Sequence, residues 1–217
     1  MRTPVVLSSL ALKGVLEKLR PKADLSFDAT QAILQRVAKG ERADLLILTR
    51  EALDGLVKKK AVTAYAPLGS SGVGVAARLG APRPDIKSPE NFVRALLAAS
   101  SVAHSRVGAS GLHFKQLLEQ LGIVAKVRTV VIEKGPVALA VARGQAELGI
   151  QQLCELAPVP GISIVGPLPA PYQVVTHFYA GLPAGAAHMK SAMSIIELLR
   201  SPAARPVMLA GGMKPAA

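Results

Sequence analysis

The sequence predicts an α/β protein made of two similar lobes, and three observations carry that prediction. Short apolar runs alternate with amphipathic helical segments along most of the chain. A faint internal repeat links "VAKGERADLLI" (Val37 to Ile47) to "VARGQAELGI" (Val141 to Ile150), each a helix end, a glycine stop, a short acidic turn and a strand. Small and hydroxyl residues collect where strands give way to helices: Ser8-Ser9, Ala29-Thr30, Thr49, and Gly108 to Gly111.

The elements follow in order. Val5 to Leu7 reads as a strand, and Leu10 to Leu19 as a helix closed by Pro21. Ala32 to Ala38 is a helix stopped by Gly40, and Asp44 to Leu48 is the near-continuous apolar run of a buried parallel strand. Glu51 to Lys59 is a helix, and the cations Lys58-Lys59-Lys60 suit its negative end. Val73 to Ala77 is a strand, Pro89 to Ala99 a helix, and Val102 to His104 a strand. A helix carrying Leu117, Leu118 and Leu121 at helical spacing comes next, ended by Gly122. Val127 to Ile132 is a strand, Val137 to Ala142 a helix, and Leu148 to Gln151, Ile162 to Val165 and Val174 to Ala180 are strands. Helices near Ser191 to Leu199 and Ala203 to Leu209 finish the chain.

Composition narrows the function. The net charge of +12 points to anionic partners. Nucleic acid is not among those expected: the charges are dispersed, tryptophan is absent, aromatics are 3 %, and no recognition motif is present. Cys154 is the single cysteine, so no internal disulfide forms. The four histidines, His104, His113, His177 and His188, are scattered, and neither a metal nor a cofactor is expected. Mean hydropathy is +0.36, yet no apolar run approaches the roughly 18 residues of a membrane span. The start, "MRTPVVLSSLALKGVLEKLRPK", has Lys13 and Glu17 inside its apolar part and lacks a small-residue cleavage site. As written, the expectation is a cytoplasmic protein, or a periplasmic one whose signal was removed before this numbering.

The stretch "VGASGLHFKQLLEQLGI" (Val107 to Ile123) raises a local question. Four small residues, Gly108, Ala109, Ser110 and Gly111, open its helix. Either Ser110 is an ordinary N-cap, or a guest approaches the bare helix start, where free N–H groups favour an anion. In an open α/β sheet such junctions gather at the carboxyl ends of the strands, where ligands bind. Four of them in so basic a chain favour the anion.

Longer stretches are familiar. "ADLLILTREALDGLVKK", "GVGVAARLGAPRPDIKSPENFVRALLAASSVAHS", "GASGLHFKQLLEQLGI" and "ELGIQQLCELAPVPGISIVGPLPA" resemble the molybdate-binding-protein-like branch of the type II periplasmic solute-binding proteins. The resemblance covers nearly the whole chain. It implies two α/β lobes, each a mainly parallel sheet flanked by helices, with the ligand in a cleft. Residues 1–70 would begin the first lobe, 71–171 form the second, and 172–217 complete the first. It also implies a small anion, an oxyanion or a carboxylate, held by hydroxyls and main-chain N–H groups. The matching residues are Ser8 and Ser9 after the first strand, Thr30 at the second helix start, Ser110 and Gly111, the turn Gly135-Pro136, and Gln151 at a strand end. "FDATQ" departs from molybdate binders, because Asp28 repels a dianion unless it turns away or pairs with a lysine.

Two functions follow from the resemblance. One is a substrate-binding protein for a small anion, in which an ABC-transporter membrane component is the partner. The alternative comes from a subgroup that resembles aconitate isomerase, which moves a double bond in a di- or tricarboxylate by proton abstraction beside a carboxylate. No nucleophile elbow, Ser-x-x-Lys or Walker loop is present. No catalytic residue is assigned. Candidates for a base are His104 and Lys134; Arg106 could clamp a carboxylate or be a surface charge. Lys13 reads as solvated, and His177, inside a strand, as structural.

Overall fold

The computed structural model describes residues 3–216. The chain divides into two compact units: Gly72–Val175, and the remainder up to Ser71 and from Thr176 onward. The first unit begins with β1 (Val5–Ser9), a 3-10 turn (Leu10–Leu12) running into α1 (Lys13–Leu19), β2 (Asp24–Asp28), α2 (Thr30–Ala38), β3 (Leu45–Thr49) and α3 (Arg50–Lys58). The long β4 (Val62–Arg78) passes into the second unit, which holds α4 (Pro89–Ala98), β5 (Val102–Ser105), α5 (Ala109–Gln120), β6 (Thr129–Ile132), α6 (Val137–Ala142), β7 (Leu148–Gln152), α7 (Leu153–Leu156) and β8 (Ile162–Pro167). β9 (Val175–Pro183), α8 (Met189–Arg200), α9 (Ala204–Ala210) and β10 (Lys214–Pro215) complete the first unit.

The strand order is β2-β1-β3-β9-β4 in the first unit and β6-β5-β7-β4-β8 in the second. β1 is parallel to β2 and β3, and β9 is antiparallel to β3. β5 is parallel to β6 and β7, and β4 is antiparallel to β7 and β8. Each sheet is thus a parallel trio extended by antiparallel strands. Parallel neighbours need crossover connections, which α1, α2, α5 and α6 help to supply within the trios.

The two trios are in the same register. Leu7 pairs with Leu46 and Ser8 with Ile47, as Ala103 pairs with Gly149 and His104 with Ile150. Ser8 also pairs with Phe27, as His104 does with Val131. The doubled sequence motif has a doubled backbone: α2 ends at Gly40 (φ 93°) and α6 at Gly144 (φ 71°), left-handed positions that glycine occupies without strain. This correspondence makes Ser9 the counterpart of Ser105, Leu48 of Gln151, and Ala52 of Glu155.

Each unit has a core of its own. Leu7, Ile33, Leu46, Leu48, Leu53 and Val62 pack together in the first. In the second, Val73, Val75, Phe92, Phe114, Leu118 and Ile150 belong to a larger cluster. β3 is apolar from Leu45 to Leu48, all of them buried, and ends on the half-buried Thr49. α4 starts in an ordinary way, with Ser88 accepting the Asn91 N–H at 3.2 Å and Pro89 in the first turn.

The elements read from sequence are present, with four differences among the strands and α-helices and one unexpected 3-10 turn, Val124–Lys126. β2 was not expected: "DLSFD" is short and acid-flanked, and none of its residues is fully buried. β4 is 17 residues long, where only Val73 to Ala77 was anticipated; Pro67 and Gly69 mask its first half. Pairing with β9 and β10 overrides that local preference. α7 and β10 are too short to show a period.

Candidate functional site

In the first unit, the parallel register puts several of the expected residues at one sheet edge. Ser9 ends β1 opposite Asp28, which ends β2, and Thr30 opens α2 two residues later. Ser8 is fully buried, and its hydroxyl donates to the Ser9 carbonyl at 3.0 Å. Ser9 is 3 % exposed, and its Oγ has no hydrogen-bond partner. Ser9 also precedes the 3-10 turn without capping it by its side chain. α2 likewise has no side-chain cap; its flanking residue is Ala29. Asp28 turns onto the backbone, and its Oδ1 accepts the Ala29 N–H at 2.8 Å. Lys13 pairs with Glu17, and its ammonium sits 5.5 Å from the centre of the Phe27 ring.

In the second unit, β5, β6 and β7 end at one edge in the same way. Ser105 is level with Ile132, and His104 with Ile150. The α5 mouth, the turn after β6 and Gln151 therefore lie along that edge. Ser110 is not the helix cap. Gly108 holds that position, without a side chain, and its N–H donates to Ser105 Oγ at 2.9 Å. Ser110 is the second helical residue, 3 % exposed. Gly111 has a packing reason of its own. A Cβ there would lie 1.9 Å from the Ser105 carbonyl oxygen, so α5 crosses β5 too closely for any side chain. Gly135 turns the chain before α6 with φ 86°, and Pro136 flanks the helix.

Gln151 is 1 % exposed, and its amide is engaged inside the unit. Its Oε1 accepts the Ala138 N–H at 3.2 Å, and its Nε2 donates to the carboxylate of Glu155, one turn further on. The backbone donor fixes which end of the amide faces which partner. Glu155 was not singled out from sequence. Burial pushes its carboxyl up to about 7, and the hydrogen bond from Gln151 opposes the rise only in part. The signal that was missed is an acid in apolar surroundings just past a strand end, in "GIQQLCEL".

The other candidates settle into local roles. His104 is buried, its Nδ1–H donates to the Ser105 carbonyl at 3.1 Å, and its ring meets Phe114 edge-on. Burial lowers its basicity most; the hydrogen bond to the Ser105 carbonyl opposes that in part, and Arg106 and Lys115 add smaller lowering effects. Arg106 grips a carboxylate in fork fashion, but that carboxylate is Glu133 of the chain itself. Lys134 is exposed. His177 is in β9 and exposed. Cys154 is buried and in no disulfide. Among the described residues, no three His, Cys, Asp or Glu side chains gather as metal ligands, and no helix is long and apolar enough to cross a membrane.

The site chemistry is thus that of hydroxyls and helix starts at strand ends, in a strongly basic α/β chain. Similarity to known proteins gives the family and the fold. The family model described as "Bacterial extracellular solute-binding protein" matches residues 20–214. An aconitate isomerase from Pseudomonas sp. is 36 % identical, covering 98 % of this chain and 88 % of that protein. The periplasmic molybdate-binding protein of Azotobacter vinelandii superposes with a TM-score of 0.81 at 18 % identity, over 99 % of this chain and 100 % of that one. The sulfate-binding protein of Mycobacterium tuberculosis H37Rv gives 0.74 at 14 % identity, over 100 % and 88 %. The chain belongs to the bacterial extracellular solute-binding protein family, with the fold of the type II periplasmic binding proteins.

Proposed function

We propose that the protein binds a small polycarboxylate through hydroxyls and N–H groups at strand ends and helix starts: Ser9 and Thr30 in the first unit, with Ser8 supporting Ser9 from beneath, and Ser110 and Gly111 in the second, where Gly135, Pro136 and Gln151 shape the same sheet edge. The observation that carries the reading is the Ser9 hydroxyl: buried, without a protein partner, at the carboxyl end of the first strand. A buried unsatisfied hydroxyl costs about 1–3 kcal/mol, and an anion that accepts its hydrogen bond recovers that cost. The net charge of +12 supports an anionic ligand. Asp28, which keeps a carboxylate at the mouth of α2, weighs against a compact inorganic dianion such as molybdate. The 36 % identical relative is named for a tricarboxylate. Placement outside the cytoplasm belongs to this reading, as the family's description suggests, and so does delivery to an ABC-transporter membrane component, the system for which two structurally similar proteins are named.

A thermal-shift screen over oxyanions and di- and tricarboxylates tests it. A ligand at a hundred times its dissociation constant stabilises by about 2.7 kcal/mol. Stabilisation by aconitate, citrate or a related polycarboxylate is expected. Stabilisation by molybdate or sulfate alone would overturn the carboxylate assignment.

A second reading, that the bound polycarboxylate is also isomerised, is favoured by one observation. Glu155 is a buried carboxyl that simple binding does not use, at the same sheet edge as Ser110. The experiment is incubation with aconitate in D₂O, followed by NMR for deuterium entry and for interconversion of the isomers.

A further inference from the structure

We propose that Glu155 is the catalytic base that carries the proton in an allylic isomerisation of the bound polycarboxylate, with Gln151 as its positioning residue. The proposal rests on the isomerase reading.

The first support is a comparison of the two units. Because their parallel trios share a register, Gln151 and Glu155 occupy the places of Leu48 and Ala52. In the first unit that pair joins the apolar core. The fold is therefore satisfied by two apolar side chains at these positions. The second unit instead has an amide and a carboxyl, linked to each other and to the Ala138 N–H. Burying a carboxyl where an alanine serves costs stability, so the exchange calls for a use.

The second support is the isolation of the carboxyl. The elements packed on α7 are α6 (VALAVA), β7 (LGIQQ) and β8 (ISIVGP), and none carries a charged side chain. Cys154 is the other titratable group on α7. Arg106, further along the edge, is tied to Glu133. Glu155 thus has no ion pair to hold it charged or fix it in a structural bridge. Its proton affinity is set by burial near neutrality, where acid and base forms coexist, and a group in that condition exchanges protons most effectively at neutral pH. The residue keeps part of its surface exposed just past the end of β7. Its carboxyl is held by one hydrogen bond, which leaves the second oxygen for a substrate proton.

The step balances. Glu155 takes a proton from the CH₂ carbon beside a substrate carboxylate: the C–H bond breaks, a carboxyl O–H forms, and the electron pair spreads over the adjoining C=C and carboxylate. The same O–H then returns the proton to the former vinyl carbon, and the double bond moves one position. No oxidant, metal or second reactant is consumed.

The test uses the full chain, aconitate and D₂O. The wild-type protein should exchange deuterium into the allylic positions and interconvert the isomers, at a rate that rises with pH to a plateau above about 7. Glu155→Gln preserves the shape and the hydrogen bond to residue 151; it should lose exchange by about 10²–10⁴-fold while aconitate binding in calorimetry persists. Glu155→Asp should retain partial exchange with a displaced pH limb, an effect that a purely structural role would not produce. Wild-type exchange rates in a Glu155→Gln protein that still binds aconitate would overturn the assignment and leave the isomerase reading intact. A wild-type rate that stays flat from pH 5 to 9 would also overturn it, whatever the variants do. A wild-type protein that binds aconitate but never exchanges would overturn both the assignment and the isomerase reading.

Discussion

Ser9→Ala should move stability and affinity in opposite directions. In the unliganded protein the Ser9 Oγ is buried without a partner and makes no capping bond to the 3-10 turn that follows. Removing it relieves an unsatisfied polar atom, a gain of up to about 1–3 kcal/mol, reduced by the small void left behind. The net expectation is neutral to about 1 kcal/mol more stable, a melting temperature higher by up to roughly 2–4 °C for a chain of this size. Toward the anion, the same change removes a hydroxyl donor to a charged acceptor, about 1.5–3 kcal/mol, or roughly 10- to 150-fold in affinity. Thermal melts without ligand and calorimetric titration with aconitate read the two quantities separately. A variant that melts several degrees lower and binds as before would show that the hydroxyl serves the fold, and the reasoning from the unpaired atom would be wrong.

Three further outcomes are expected. Ser110→Ala should weaken the anion by about 1–3 kcal/mol with little change in melting, because Ser110 makes no capping bond; a lower melt with unchanged affinity in calorimetry would remove Ser110 from the site. Gly111→Ala should destabilise by about 1–3 kcal/mol or more, since its Cβ meets the Ser105 carbonyl oxygen at 1.9 Å; chemical denaturation indistinguishable from wild type would refute that close approach. Glu155 should make stability fall as pH rises. Its folded value of about 7 lies above the ordinary 4.5, so the folded state holds the proton longer. The favourable difference is complete below about 4.5 and disappears as pH passes 7, a change of about 3 kcal/mol. Denaturation across pH 4 to 8 should show Glu155→Gln gaining on the wild type toward pH 8; parallel curves would contradict the burial of this carboxyl.

Much of the fold was legible because buried parallel strands and amphipathic helices announce themselves. Leu45 to Leu48 could not be a surface strand, and Leu117, Leu118 and Leu121 mark one helical face. The elements that escaped are those in which tertiary pairing does the work. Asp24–Asp28 has little apolar content and becomes a strand because β1 offers it five partners. The first half of β4 contains Pro67 and glycine and is held by neighbours distant in sequence. Element type along a chain is a local property; edge pairing is not.

The site residues show the same division. Small and hydroxyl residues at strand ends located the two sheet edges from the sequence, but sequence could not say what the smallness was for. At Gly111 it serves the contact of α5 with β5, and at Gly108 it makes room for Ser105 Oγ. At Gln151 the amide that promised a ligand contact turns inward to Ala138 and Glu155. Spacing gives position along the chain, whereas the direction of a side chain depends on the face that a register assigns to it.

That register gives the strongest reason to look beyond simple binding. Two units with one strand order and one pairing scheme differ at matched positions, and the matched position removes the fold as an explanation for the difference. Ser9 and Ser105 are equivalent, yet the first hydroxyl lacks a partner while the second accepts the Gly108 N–H. Leu48 and Ala52 join an apolar core, while Gln151 and Glu155 form a buried polar link. A protein needing only a cradle of donors gains nothing from a desolvated carboxyl, which repels an anion whenever it is charged. An isomerase needs that group, near neutral proton affinity and held by one oriented partner. The first unit therefore has the hydroxyl without a partner, and the second the acid that is hydrogen-bonded but in no ion pair. Changing Gln151 and Glu155 together to leucine and alanine, the residues of the first unit, should retain the fold and abolish proton exchange into aconitate. Retained exchange in that double variant would place the chemistry elsewhere.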